Sequence, residues 1–317
     1  MADYDVFNGD ADGILSLVQL RLSEPRPDAK LITGRKRDID LLKQVEPNAG
    51  DRITVLDVSM RNNGDALRAS LNAGAQVFYA DHHNPGDIPE HDNLTAMIDT
   101  SPEMCTAMLI DDHLSGAHRA WAVTAAYGDN FPVLAKRKAE GLDLPLERLE
   151  QLGILINYNG YGASVDDLHF HPADLYRQLA RSKTPMDFLG GNAETFERLD
   201  TGYREDMAGA QAGQVISDTA HGLVVELPNT ASSRRVSGVY GHDLAQASPD
   251  PIILGGSYAA KLHIGDSGSN YYSGTIIITG MGELTIDIDE GKEVAQEYNF
   301  MFNGAVVSNG NVPALSV

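Results

Sequence analysis

Over residues 1–135, short apolar runs alternate with stretches that carry a single apolar face. Tyr4 to Phe7 reads as a first strand, ending in Asn8-Gly9-Asp10-Ala11-Asp12-Gly13. Ile14, Leu15, Leu17, Val18 and Leu22 then follow the spacing of a helix. Glu24-Pro25-Arg26-Pro27 breaks that helix, and Lys30 to Thr33 predicts a second strand delivering Gly34 and Arg35-Lys36-Arg37. Asp38 has the residue type of a cap for a helix reaching about Val45. Arg52 to Leu56 is a third strand, ending in Asp57-Val58-Ser59, and a helix from Asp65 to about Asn72 follows it. Val77 to Ala80 is a fourth strand that runs into Asp81-His82-His83, where Asn84-Pro85-Gly86 turns the chain. Leu94 to Ile98 is a fifth, ending in Asp99. Ser101-Pro102-Glu103 predicts the start of a helix to about Leu114, and another runs from Ala117 to Tyr127-Gly128-Asp129-Asn130. Strand alternating with helix at this spacing predicts an α/β fold with a mostly parallel, doubly wound sheet.

From Phe131 to about Ala210 the pattern turns helical, with Leu142, Leu144, Leu146, Leu149, Leu152 and Leu155 prominent and one polar loop, Asn157 to Gly162. After Gly213 it changes again, to β-like runs at Gly222 to Leu227, Pro251 to Leu254, Tyr258 to Ile264, Gly274 to Thr279 and Leu284 to Ile288. A terminal helix is expected near Glu293. Three parts follow: an α/β domain at 1–135, a helical connector at 136–212 and a smaller β-rich α/β domain at 213–317.

Composition narrows the function. A net charge of −21 repels long nucleic acid, whose binding depends on neutralising phosphates with Lys and Arg. A short or small anionic substrate remains a fitting partner, because a metal and a few local cations can offset the field. No apolar run approaches the roughly 20 residues of a membrane span. The opening Met1-Ala2-Asp3-Tyr4-Asp5 is acidic, unlike a signal peptide, so a cytoplasmic location is expected, with a homodimer as one assembly open to the chain. A single cysteine, Cys105, argues against a thiolate metal site.

The strand and helix ends supply Asp10 and Asp12, Asp57, Asp81 with His82 and His83, and Asp129. Open α/β sheets bind ligands beyond the carboxyl ends of their strands. Four carboxylates converging there would repel one another without a cation. Oxygen-rich ligation with a histidine suits Mn²⁺ or Mg²⁺, and two such ions would balance Asp10, Asp12, Asp57 and Asp129. Taken singly, each aspartate is also a common turn or cap residue.

The ordered set resembles the DHH phosphoesterase superfamily. Its four motifs look like Asn8-Gly9-Asp10-Ala11-Asp12-Gly13, Asp57 after an apolar strand, Asp81-His82-His83, and Tyr127-Gly128-Asp129, over roughly residues 1–135. The resemblance implies that Asp10, Asp12, Asp57, His82 and Asp129 ligate two ions, with Asp57 bridging. It implies that His83 contacts the substrate phosphate and that Asp81 orients the neighbouring histidine. Two departures stand out. Asn8 is where many members carry a histidine or aspartate, which makes it a weak metal or water ligand. Gly255-Gly256-Ser257 lacks the histidine of the family's Gly-Gly-Gly-His motif. Asn157 to Gly162 is similar to a degraded Asn-Ala-Ala-Gly-Arg segment of RecJ-type exonucleases, with Tyr161 at the arginine, which suggests substrate contacts for Asn157 and Asn159.

The chain is thus expected to be a metal-dependent phosphohydrolase, a phosphodiesterase or phosphomonoesterase acting on a small nucleotide, cyclic dinucleotide or short oligonucleotide by a two-metal mechanism. One or two of Arg35, Lys36 and Arg37, with Arg35 and Arg37 favoured, are expected to bind a substrate phosphate, and Tyr240, Tyr258, Tyr271 or Tyr272 to stack on a base. The alternatives are a pyrophosphatase or exopolyphosphatase of the same superfamily, or a metal- or nucleotide-binding protein without turnover. A dense Lys/Arg lining in the second domain would favour polyphosphate, and few such residues occur there.

Overall fold

Strand alternation sets which side chains meet. The computed structural model describes residues 1–219 and 222–247 and, beyond them, six short strands. The first elements are β1 (Asp3–Phe7), α1 (Ala11–Ser23), β2 (Lys30–Ile32), β3 (Arg52–Leu56), α2 (Met60–Asn72), β4 (Gln76–Asp81) and β5 (Leu94–Ile98). Their strands form a fully parallel sheet in the order β2-β1-β3-β4-β5. Successive residues of a strand point to opposite faces. Tyr4, Val6, Ile53, Val55, Val77 and Tyr79 accordingly build one core with Met60, Leu67 and Leu71 of α2. Asp5 and Phe7 face the other way, toward Arg21 of α1 and the Tyr176 ring.

The helices continue as α3 (Thr106–His113), α4 (Arg119–Gly128), α5 (Pro132–Lys138), α6 (Leu146–Asn159), α7 (Pro172–Leu179), α8 (Pro185–Gly191) and α9 (Ala193–Gln211). In this order the chain reverses direction across the sheet between β1 and β3. That reversal is where open α/β sheets form their ligand crevice, and here it is flanked by the loops carrying Asp10 and Asp57.

The chain divides into two compact units, Met1–Gly202 and Tyr203–Val317. The second holds β6 (Gln214–Thr219), β7 (Gly222–Glu226), α10 (Ala231–Ala247), β8 (Ile252–Gly255), β9 (Ala260–Gly265), β10 (Tyr271–Ile278), β11 (Leu284–Ile288), β12 (Phe300–Phe302) and β13 (Ala305–Val307). Six of these strands form a mixed sheet, β11-β10-β9-β8-β7-β6, whose one parallel pair, β7 with β8, is joined through α10. Arg235 of α10 pairs with Asp206 of α9, Nε to Oδ2 at 2.7 Å. Tyr258, Gly256, Ser257 and the helix expected near Glu293 lie outside the described residues. Among the described residues no helix is long and apolar enough to cross a membrane.

Several element ends differ from the sequence reading, each for a local reason. The helix expected after Asp38 is only a 3-10 turn at Leu41–Gln44, because Asp38 turns back onto the backbone N–H of Arg35 at 2.7 Å. α2 begins at Met60, five residues early, through a polar stretch held by buried Asn63, which donates to Ser59 and Ile39 carbonyls. α3 begins at Thr106, where a carboxylate from α1 takes the first free N–H groups. The polar loop expected from Asn157 is instead the last turn of α6. α10 has no counterpart in the sequence reading, since its Ser-, Gly- and Arg-rich run lacks a strong apolar period.

Candidate metal centre

Each acidic side chain of the crevice is positioned by a backbone role of its own. Asp10 is the N-cap of α1, and its Oδ1 accepts the Gly13 N–H at 3.0 Å. Asp12, in the first turn of α1, reaches the start of α3, where its two oxygens accept the Thr106 and Ala107 N–H groups at 2.7 Å each. Free N–H groups at a helix start favour a negative charge there. Asp57 ends β3 with φ +57, a left-handed backbone that aspartate tolerates better than most residues. Its Oδ1 accepts from the Thr106 hydroxyl at 3.2 Å. Asp129 is the C-cap of α4. Asp10, Asp12 and Asp57 are almost fully buried.

The histidines enter from the end of β4. Nδ1 of His82 stands 3.0 Å from the Met104 carbonyl oxygen. A carbonyl only accepts, so Nδ1 carries a proton, and Nε2 is the nitrogen turned to the carboxylates. That Nε2 lies 3.5 Å from Asp57 Oδ1, 3.8 Å from Asp129 Oδ2 and 3.9 Å from Asp12 Oδ2. His83 donates Nδ1–H to Asp81 Oδ1 at 2.7 Å, and the same oxygen accepts the His82 N–H at 3.0 Å. The two rings stand edge to face, 4.4 Å apart. His82 is largely enclosed, whereas His83 leaves 45% of its side chain exposed to an incoming molecule.

Two groups of side chains among the described residues could hold a metal ion: Asp57, His82 and His83, and Asp12, His82 and Asp129. Ligands about 2.1 Å from an octahedral ion stand roughly 3 to 4 Å from one another, which is the spacing seen around His82 Nε2. The donor set, carboxylate oxygens with imidazole, fits Mn²⁺ or Mg²⁺.

The electrostatics show the same need for cations. Burial, then Asp10 and Asp12, push the Asp57 carboxyl well above the usual range. Burial, then Asp129, raise Asp12 to about 6. Burial alone would lower the His82 imidazole, but the Asp57 hydrogen bond and the charges of Asp129 and Asp12 hold it well above normal. Burial would also raise Asp10, yet its neighbour Lys36 outweighs that and draws it down.

Lys36, which the sequence reading ranks behind its two neighbouring arginines, is the cation that reaches the centre. Its Nζ lies 2.6 Å from Asp10 Oδ2, 3.1 Å from Asp129 Oδ1 and 3.3 Å from Asn157 Oδ1. The arginines on either side, expected at the substrate, are placed otherwise. Arg35 is engaged by Asp38 and donates to the Ala163 carbonyl, while Arg37 is exposed. Asn8, expected as a weak ligand, instead bridges backbone groups: its Oδ1 accepts from the Asp10 N–H and its Nδ2 donates to the Lys36 carbonyl, each at 3.2 Å. Asn157 borders the centre through Lys36. Asn159 does not reach it, for it is fully buried and both ends of its amide bond the backbone of Phe170. Residue alternation after β2 was the available signal for Lys36, since it sets Lys36 on the side opposite both arginines.

No family model and no curated protein sequence matches the chain. Solved structures do. One is the exonuclease RecJ bound to manganese, at 16% identity and TM-score 0.55, over 84% of this chain and 78% of that one. Another is the DHH domain of a member of the s1p family of ribosomal proteins, at 13% identity and TM-score 0.52, over 82% of this chain and 73% of that one. With its parallel sheet, its switch-point crevice and this likeness, the chain shares the fold of RecJ and of this DHH domain.

Proposed function

We propose that the chain is a divalent-metal-dependent phosphohydrolase acting on a small nucleotide, a cyclic dinucleotide or a short oligonucleotide. The observation that carries this reading is the convergence of Asp12, Asp57 and Asp129 on His82 Nε2, within 3.5 to 3.9 Å, at the carboxyl ends of a parallel sheet. Asp12, Asp57, Asp129 and His82 would hold a divalent ion, and Asp10 borders it. Mn²⁺ or Mg²⁺ bound there would lower the pKa of a water molecule and offset phosphoryl charge.

The chain's own groups would do the rest. His83, exposed and fixed in orientation by Asp81, would donate a hydrogen bond to a phosphoryl oxygen as charge builds on it. The Met104 carbonyl keeps the proton on His82 Nδ1, so that Nε2 stays turned to the carboxylates. Arg35 and Arg37 flank the same crevice edge and would attract the anionic substrate. The strongly negative chain, at −21, supports a small substrate over long nucleic acid.

The test is an Mn²⁺-supplemented activity screen over bis-p-nitrophenyl phosphate, dinucleotides, cyclic dinucleotides, nucleotide bisphosphates and pyrophosphate. Hydrolysis of a phosphodiester that requires the ion is the expected result. Turnover of pyrophosphate alone would redirect the reading to a phosphoanhydride, and no turnover of any of these compounds would remove it.

A further inference from the structure

One charged group of the centre has no part in the reaction just described. Lys36 is fixed by its backbone on both sides: its N–H donates to the Gly160 carbonyl at 2.9 Å, and its own carbonyl accepts from Asn8 Nδ2 at 3.2 Å. Beneath it the loops after β1 and β2 touch through their main chains, for a Cβ on Gly9 would stand 1.8 Å from the Gly34 carbonyl oxygen. Held in this way, the side chain points into the centre. An ammonium has three N–H donors, and three oxygens surround this one, from Asp10, Asp129 and Asn157. The Tyr161 ring lies 5.9 Å from Nζ, within reach of a cation–π contact.

The centre therefore has two unlike sides. On one, Asp12 and Asp57 face Nε2 of His82. On the other, Asp10 faces an ammonium. Asp129 serves both, with Oδ2 toward His82 and Oδ1 on Lys36. An ion that used Asp10 and this Asp129 oxygen would need the atoms that Nζ now holds, and like charges a few ångströms apart repel strongly where water is scarce. Asn8 adds no charge to help such an ion, since an amide is neutral, and both its ends are already engaged by backbone.

We propose that Lys36 is the resident cation of the Asp10 side of the centre and competes with a second divalent ion for Asp10. One ion then binds tightly on the His82 side, and a second binds only by displacing the ammonium. This rests on the metal-centre reading above and deepens it: occupancy of the second position becomes dependent on ion concentration, and a displaced Lys36 is a cation released beside the substrate.

The experiment is calorimetric titration of the full chain with Mn²⁺, for wild type, Lys36→Ala and Lys36→Gln. It is paired with acetic anhydride labelling of the wild type, read by mass spectrometry across the same titration. Wild type should bind one Mn²⁺ tightly and a second about 100-fold more weakly, and each substitution should bring the second to within about tenfold of the first. Lys36 should resist acetylation through the first equivalent and become labelled over the concentrations that fill the second position. Two equal sites in the wild type overturn the proposal. So does a second affinity unchanged in both variants, or a Lys36 that stays protected with both ions bound. Should neither variant fold, the labelling of the wild type decides by itself. A wild type that binds no Mn²⁺ overturns both the competition and the metal-centre reading. A blank substrate screen beside the expected titration removes hydrolysis alone and leaves the competition standing.

Discussion

Two buried acidic clusters sit on the same sheet, and they are built on opposite terms. Asp5 lies two residues before the end of β1 and Asp10 three residues after it. Asp5 has its own cation: Arg21 donates from Nε at 2.9 Å, a second guanidinium nitrogen completes the fork, and that nitrogen also reaches the Thr54 hydroxyl at 2.7 Å. Both side chains are nearly inaccessible, at 4% and 1% exposure. The pair is neutral and closed. At the crevice, by contrast, Lys36 pairs with Asp10 and Asp129 while Asp12 and Asp57 face His82, so four carboxylates meet one lysine, a formal surplus of three negative charges before the histidines are counted. A closed pair needs nothing from outside, so it is structural. A cluster with surplus charge is incomplete without an added cation, so it is the place to look for function.

Predictions follow from how each cluster should fail. The largest effect is expected at the crevice. Exhaustive chelation should abolish phosphodiester hydrolysis, and Mn²⁺ should raise the melting temperature, because a ligand bound only to the folded chain stabilises it by mass action. His82→Ala should lose both responses. Hydrolysis that persists after EDTA would erase the distinction between the clusters.

Next comes the closed pair. Arg21→Met should cost about 3–5 kcal/mol in urea unfolding, since it leaves Asp5 buried without a partner. Replacing both residues, as Arg21→Met with Asp5→Leu, should recover most of that loss and leave Mn²⁺ binding unchanged. A double variant as unstable as the single one would mean that the pair does more than satisfy itself.

His83→Ala should keep Mn²⁺ affinity close to wild type and slow turnover by roughly 10²–10³, the usual effect of removing one donor to a developing oxyanion. Equal loss of metal by the His82 and His83 variants in calorimetry would merge their roles. Smallest is the flanking basic edge. Arg35→Ala and Arg37→Ala should each lower kcat/KM by at most about tenfold, ~1.4 kcal/mol, with the larger deficit at low salt. Michaelis kinetics at two ionic strengths separates this from a loop that merely loses its Arg35–Asp38 contact.

Much of this was written in the chain's local pattern. Apolar runs and their alternation gave the five strands of the first sheet within one or two residues, because buried parallel strands need continuous apolar side chains on both faces. Aspartates and histidines at the ends of those runs marked the crevice, since a parallel sheet brings all its carboxyl ends to one edge. The ends of helices were less legible. Whether α3 starts at Ser101 or Thr106 depends on Asp12, 94 residues away from Thr106, and no local signal carries that.

The choice among Arg35, Lys36 and Arg37 was settled at longer range still. All three are cations on one loop, and sequence alone favours the guanidinium for binding phosphate. The tertiary structure set their directions instead, through the Gly160 carbonyl on the Lys36 N–H and Asp38 on Arg35. In the same way Asn157 and Asn159, two residues apart and alike in sequence, separate on the last turn of α6 into a neighbour of the centre and a brace for Phe170. Composition and period determine which segments are buried and where chemistry can collect. Which side chain of a given type faces the centre depends on backbone contacts between segments far apart in sequence, and those exist only once the sheet and helices have packed.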